Sequence, residues 1–565
     1  MNYLNRYLND ESYMADKHKL GDLWIVYTKS EDCVYYSSEI DNSLCFTAIE
    51  DNASIQMTLF DFETDYGPTP AGWQDKSFYY KKNDDVEWTE WVFENNTTSL
   101  ITLNKGEKLY VMSDSYNSCA VHGDGTIDEC KYYYFTISGG KISASGNIMS
   151  LLNFSPVLPN YAFYSLFKDC TSLVSTPDLP STTLAEGCYK SMFANCSSLT
   201  QAPELPATTL SAFCYSGMFT NCSSLLSVPE LPETTLAEGC YKGMFNGCSS
   251  LTHAPALPAT TLVDSCYYQM FLGCSSLTQA PELPATTLAN SCYYGMFNGC
   301  SSLVQAPELP ATTLGTSCYN AMFQGCKSLT QAPELPATTL EISCYSGMFR
   351  ACTSLTKAPA LPATTLINSC YSSMFRGCSK LTQAPALPAT TLANYCYSSM
   401  FYGCSSLTQA PALPATTLTP SCYSNMFKVC SKLVQAPELP ATTLADRCYY
   451  DMFDGCYLLV QAPELPATTL APSCYSNMFY GCTSLVQAPE LPATTLVNKC
   501  YEYMFRGCSK LNYIKALFTT TPSSTYTNNW VDKVSSTGTF VKSKDATWNV
   551  TGVHGIPSGW TVTTA

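Results

Sequence analysis

Residues 292–314 read CYYGMFNGCSSLVQAPELPATTL, and almost the same string recurs along the chain. The cysteine that follows Met-Phe (Leu-Phe in the first unit) falls at 170 and then every 26 residues to 508. A second cysteine, always followed by Tyr, falls at 188 and then every 26 residues to 500; the first unit carries Ala162 in its place. No insertion breaks the phase. A fixed period of this size means a solenoid, in which each coil buries its apolar face against its neighbours.

One coil can be read locally. Cys292, Tyr293, Met296, Phe297 and Cys300 stand at i, i+1, i+4, i+5 and i+8, which predicts one face of a short helix. Asn290 or Ser291 would cap its start, and Gly299 would end it as a left-handed residue. A strand of about three residues is expected from Leu303, stopped by Pro307, which has no N–H to give a ladder. Pro310 and the Ala-Thr-Thr that follows return the chain to the next helix. Leu303, Ala306, Leu309 and Leu314 form the expected inward set.

The repeat cysteines number 27, an odd count, so complete pairing within the array is impossible. The two thiols of one predicted helix would stand about 12 Å apart, too far for a disulfide. Free cysteine packs as a small hydrophobe, so reduced core columns are expected. Disulfides between coils and metal binding are the alternatives. The metal signal is missing: no CxxC occurs, and none of the four histidines, His18, His122, His253 and His554, is in register with a cysteine column.

Two exposed surfaces follow from the repeat. The strand side carries a glutamine column that includes Gln201, Gln279, Gln305 and Gln331, interrupted by Ser175, Ser227, His253, Lys357 and Tyr513. Stacked at about 4.8 Å, these amides could form a ladder from coil to coil. Three residues on runs an acidic column that includes Glu282, Glu308 and Glu334, with Ala at 256, 360, 386 and 412. That stripe is either a solvated edge or a place to capture cations or a basic partner. The helix side varies most, for example YG after Cys-Tyr at 294–295 against SS at 398–399. Constant core with changing surface is how solenoids tune recognition. Tyr268, Tyr294, Arg376, Tyr402, Tyr480 and Arg506 are side chains of the kind that anchor glycans or proteins.

The flanks differ. Residues 1–38 suit a short amphipathic attachment segment, or the first packed element of the next domain. Residues 39–145 alternate as strands (SIQMTLF, KSFYYKK, EWTEWVF, SLITL, KLYVMS, KYYYFTIS) and predict a small β-sandwich, with Trp88 and Trp91 on opposite strand faces. Cys119 and Cys130 flank HGDGTIDE, which could be a disulfide loop, a weak calcium loop or a polar turn. Residues 146–515 form the solenoid, its first coil covered by KISASGNIMSLLNF. Residues 516–565, with Trp530, Trp548 and Trp560, form a closing cap.

Composition narrows the function. The chain is 46% hydrophobic and 13% charged, as a folded protein with much buried surface should be. Its formal net charge of −16 disfavours nonspecific binding to nucleic acid and to anionic lipid. MNYLNRYLNDESYMADKHKL has no apolar run of a Sec leader, and no membrane-spanning stretch is present. Export without a leader would need another route, such as release by lysis. No nucleophile, paired carboxylates or phosphate loop assembles a catalytic site, so neither an enzyme nor a cofactor is expected.

The phrase MFxGCSSL, followed by a short strand, a proline and a return to the next Met-Phe, resembles the BspA-like leucine-rich repeats. It is also similar to the MFxGC repeats of mycoplasma surface lipoproteins. The 26-residue form with APELPATTL resembles repeat proteins encoded by gut Bacteroidales and their phages, and the tail GTFVKSKDATWNVTGVHGIPSGWTV resembles segments that close such arrays. The resemblance implies an α+β solenoid, a leucine-rich-repeat-like array with a short parallel strand and a short helix per coil. It implies adhesion to a host surface. The expected role is a phage virion protein of fibre or spike type, docked on other virion proteins through its N-terminal region and binding a host-surface glycan or protein. A homo-oligomer would suit a fibre. A bacterial surface or secreted adhesin, and a structural decoration protein without a ligand, are the alternatives.

Overall fold

The computed structural model describes residues 25–27, 33–35, 42–61, 75–122, 130–231 and 235–565. The attachment segment expected at 1–38 lies outside the described residues, except for strands β1 (Ile25–Tyr27) and β2 (Cys33–Tyr35), which pair antiparallel. The 123–129 loop expected between Cys119 and Cys130 also lies outside them.

Two six-stranded sheets stand at the N-terminal end of the array, one of them reaching into its first coil. Their strands are β3 (Leu44–Ala48), β4 (Ala53–Asp61), β5 (Phe78–Lys82), β6 (Thr89–Glu90), β7 (Phe93–Glu94), β8 (Thr97–Thr98), β9 (Ile101–Leu103), β10 (Lys108–Ser113), β11 (Ala120–His122), β12 (Cys130–Gly139), β13 (Ile142–Ser145) and β14 (Leu173–Ser175). One sheet runs β14-β13-β3-β10-β5-β6, and the other β11-β12-β4-β8-β7 with β9 on β4. Apolar alternation puts Phe46 on one inner face and Phe135 on the other, their rings 4.9 Å apart and edge to face. Trp91 is buried in this core and donates from Nε1 to the Ser99 carbonyl at 2.9 Å, whereas Trp88 is half-buried under Lys81.

The sheets merge with the array without a break. Phe135 stacks on Phe167, which stacks on Phe193 in the next coil, so one hydrophobic cluster runs from the sheets to the C-terminus. β13 pairs parallel with β14 of the first coil. The 3₁₀ turn Ile148–Leu152, all five residues buried, covers that coil's end.

Among the described residues the repeat contains no helix, and this corrects the α+β expectation. Residues 289–300 form a flat ribbon of overlapping β-turns. Tyr294, Met296, Asn298 and Cys300 donate their N–H groups three residues back, at 3.0–3.2 Å. Ser291, Tyr293, Gly295, Phe297 and Gly299 donate instead to Thr316, Cys318, Asn320, Met322 and Gln324 of the next coil, at 2.7–3.1 Å. Alternate residues therefore close turns and join coils, and nearly every N–H is accounted for without a helical i→i−4 ladder. The geometry requires a positive φ at every fourth residue: Ser291 at 52°, Gly295 at 56° and Gly299 at 80°. A period of four, not 3.6, places Cys292, Tyr293, Met296, Phe297 and Cys300 inward, all at most 1% exposed.

The strand expected after Leu303 is also shorter than predicted. It shrinks to single parallel bridges, such as Gln279 to Gln305 and Gln435 to Gln461, because Pro307 and Pro310 remove the next donors. Leu303, Leu309 and Leu314 are buried as expected and Ala306 is half-buried, while Ala311, 1% exposed, joins them.

Each inward column repeats its own contact. The phenyl rings of Phe271, Phe297 and Phe323 follow at 5.7 Å, nearly parallel, and the rings of Tyr267, Tyr293 and Tyr319 at 5.9 Å. Cys300 donates from Sγ to the Phe271 carbonyl at 3.1 Å, a bond repeated through the array. Every cysteine whose side chain is described is free and buried, Cys119 included. The coils are thus stapled by packing and backbone bonds, with thiols as filler.

After Cys508 the ribbon makes one more pass. Asn529 and Lys533 keep the positive φ, and Trp530 takes a place in the stacked columns, donating from Nε1 to the Gly555 carbonyl at 2.9 Å. β15 (Tyr513–Ala516), β16 (Thr539–Lys542) and β17 (Thr561–Thr564) form a parallel sheet in that order.

Candidate recognition surfaces

The ribbon side presents the columns containing Tyr294 and Asn298. Their side chains stand one coil apart and touch along the array. Tyr268 and Tyr294 stack at 4.7 Å with 9° between their planes, and Lys242 sits 4.9 Å over the outer face of Tyr268. Arg376 lies 4.4 Å over Tyr402. Arg506 lies 5.9 Å from the Tyr480 ring and 5.4 Å from Tyr503, with Nε 3.1 Å from an Asp532 carboxylate oxygen. The six side chains singled out from sequence therefore form three pairs on one side of the molecule. Their ring faces lie against the neighbouring coil, so a ligand meets ring edges, hydroxyls and guanidinium groups. Tyr480 is the most open of these rings, at 37% exposure.

Sequence reasoning missed one charged cluster on this side. Lys428 bridges Asp451 and Asp454, the latter at 2.8 Å. Burial alone would lower the Lys428 pKa, but its bonds to the two carboxylates outweigh burial and raise it. Burial likewise holds the Asp451 carboxyl above its ordinary range, against the pull of Lys428. The available signal was a lysine 23 and 26 residues before two aspartates, which the period converts into neighbours.

The opposite side carries the Gln and Glu columns. Gln201, Gln279, Gln305, Gln331, Glu282, Glu308 and Glu334 are all exposed. The Gln residues meet through backbone bridges. Among the described residues no side-chain amide of this column bonds to the next. Open grooves lie between successive coils here. One of about 510 Å³ is lined by Gln279, Glu282, Pro284, Gln305, Glu308 and Pro310. Another of about 690 Å³ is lined by residues that include Gln461, Glu464, Gln487 and Glu490. A third, of about 410 Å³, has Lys357, Ala360 and Ala386 where the others have Gln or Glu. Lys515 closes the acidic column at its end, 2.9 Å from Glu490.

No three His, Cys, Asp or Glu side chains among the described residues gather as a metal site would require. Among those residues, no helix is long and apolar enough to cross a membrane.

A family model described as "BspA type Leucine rich repeat region (6 copies)" matches residues 164–278, 188–330, 316–459 and 450–542. A search of the curated proteins found no match. Among solved structures, the chain is similar to one in "Crystal structure of TLR13-ssRNA13 complex", at 13% identity and a TM-score of 0.21, over 66% of this chain and 50% of that one. The chain spans half the length of that relative. The family matches overlap from 164 to 542, more than half of the 565 residues. The chain belongs to the BspA-type leucine-rich repeat family.

Proposed function

We propose that this chain is a non-enzymatic recognition protein whose ribbon side binds a glycan or protein on another cell's surface. The observation that carries the reading is the contrast within one coil. Met296 and Phe297 sit in columns that hardly change and are fully buried, while the half-exposed neighbours at 294 and 298 differ from coil to coil. The ribbon holds those variable side chains at fixed spacing on a stiff backbone. A multivalent surface needs this, because little ordering entropy is then lost on binding. The concentrated Arg–Tyr pairs at 376 and 402 and at 480 and 506 are the first anchors to test.

The finer form of the proposal places the protein on a phage particle, docked through its N-terminal region to other virion proteins and projecting the array towards the host. Purified full-length chain should bind cells of the host and reduce phage adsorption. Arg376→Ala with Tyr402→Ala should weaken that binding while leaving thermal unfolding nearly unchanged. Lack of binding together with unimpeded adsorption would sink the reading. Mass spectrometry of purified particles decides the location, since a chain found on the bacterial envelope instead is an adhesin.

A further inference from the structure

Among the described residues, the ladder that joins the coils is closed at one end and unpaired at the other. At the first coil, β14 is covered by β13, which continues into β3 and β10. At the far end β17 is the last strand, and among the described residues nothing pairs with its outer edge. Its register is fixed: Thr561 faces Thr539, and Thr563 faces Val541. Thr561 donates its N–H to the Gly538 carbonyl and Ala565 to the Lys542 carbonyl, both at 2.9 Å. Odd-numbered residues therefore point their backbone groups at β16. The N–H and C=O groups of Val562 and Thr564 point outwards and are unused.

This edge is only four residues long, but it lacks the other usual protections. It carries no Pro, no Lys and no bulge, and all four of its residues are exposed. Val562 lies beside the fully buried Phe540 yet remains 43% exposed. The strand is also held in place, since Trp560 is buried just before it and donates from Nε1 to the Ser535 carbonyl at 2.8 Å.

We propose that β17 pairs antiparallel with β17 of a second copy of this chain, about a two-fold axis at Thr563. Two outward residues flanking one inward residue are self-complementary. Val562 would exchange both backbone bonds with the partner subunit's Thr564, and Thr564 with the partner subunit's Val562. Thr563 would face its own counterpart as the non-hydrogen-bonded pair. Such an isologous contact closes on itself, so it yields a dimer and not a fibre. The dimer carries two arrays joined at their C-terminal ends. This goes beyond the recognition reading and does not depend on it, and it would make the protein bivalent.

The contact is short, so association is expected at about 10–100 μM, the weak end for specific interfaces. Sedimentation velocity of the full chain should show monomer passing to dimer across that range. Val562→Pro and Thr564→Pro remove only outward N–H groups, which an edge strand tolerates. Each should raise the dissociation constant at least about tenfold, with thermal unfolding unchanged. Thr563→Cys should form a crosslinked dimer under mild oxidation, because Cα atoms of a non-hydrogen-bonded pair approach to about 4.5 Å. Monomer at every concentration, open-ended polymers, capture of a different protein's strand in place of a second copy, or a dimer that survives both prolines would overturn the proposal.

Discussion

The ribbon side and the bridge side of the array are built by the same coils, yet they are held by different means. On the ribbon side, Ser291 and every residue from Tyr293 to Cys300 donate a backbone bond, five of these nine to the next coil. On the bridge side the ladder thins to isolated bridges at the Gln and Thr columns, and the described Gln-column bridges skip several steps, among them Ser227 to His253, Gln305 to Gln331 and Gln383 to Gln409. Grooves open there between successive coils. Order is therefore concentrated where the thiols, tyrosines and phenylalanines stack. The Gln and Glu columns ride on that frame and contribute little to it.

The largest expected effect is alkaline. Burial pushes the Cys222 and Cys378 thiols up to about 12, and the Cys266, Cys370 and Cys500 thiols up to about 11, from an ordinary 9.0. The folded array keeps these groups neutral, whereas the unfolded chain ionises them. Their stabilisation is complete below pH 9 and is lost as pH climbs through the folded values. Each thiol contributes a slope of about 1.4 kcal/mol per pH unit in that window. The slopes add over the columns, so circular dichroism should show cooperative loss of the array between pH 9 and 11. Stability that stayed flat to pH 11 would mean the thiols are not where the ribbon places them.

Next comes packing. Phe297 is fully buried between Phe271 and Phe323, so Phe297→Ala should cost about 3–5 kcal/mol by urea unfolding. Coils contact only their neighbours, so the loss should appear as a split transition, with the array parting at that coil. Gln305→Ala, one turn of chain away, should change stability by no more than about 0.5 kcal/mol.

The sequence showed some of this plainly and hid the rest. The 26-residue period, the inward columns and the reduced thiols are legible because burial selects the same residue at the same place in every coil. The coil's conformation was not. Spacing of i, i+1, i+4, i+5 and i+8 suits a helix if 3.6 is rounded to four, and Gly299 imitates a helix stop. What decides against a helix is a second set, every four residues, of Ser, Asn and Gly at positions such as 291, 295 and 299. That set marks recurring left-handed residues and would have exposed the turns. The pairs Arg376 with Tyr402 and Arg506 with Tyr480 were visible as surface types but not as stacked partners, because stacking depends on a one-coil offset. The edge of β17 carries no compositional mark at all.

Backbone strain gives a medium-sized test on the ribbon side. Val429 occupies the column of Gly299 at φ 60°, where a β-branched side chain is strained. Val429→Gly should stabilise by about 1 kcal/mol, and Gly299→Val should destabilise by about 1–2 kcal/mol. Reversal of either sign in thermal unfolding would mean the ribbon does not fix φ as described.

The smallest effect belongs to the acidic column. Glu282, Glu308 and Glu334 follow one another one coil apart, about 5 Å at the spacing of parallel ladders, and no described cation pairs with them. Like charges so placed repel, but the side chains are exposed and water weakens the force. Replacing all three by Gln should raise stability by a few tenths of a kcal/mol at about 0.01 M salt, where the screening length is about 30 Å. At 1 M salt, with screening near 3 Å, the gain should vanish. A gain that persists in high salt would point to new amide bonds between coils, which the native Gln column does not make. A loss would mean the carboxylates hold the coils together, and the division of labour between the two sides would then have to be redrawn.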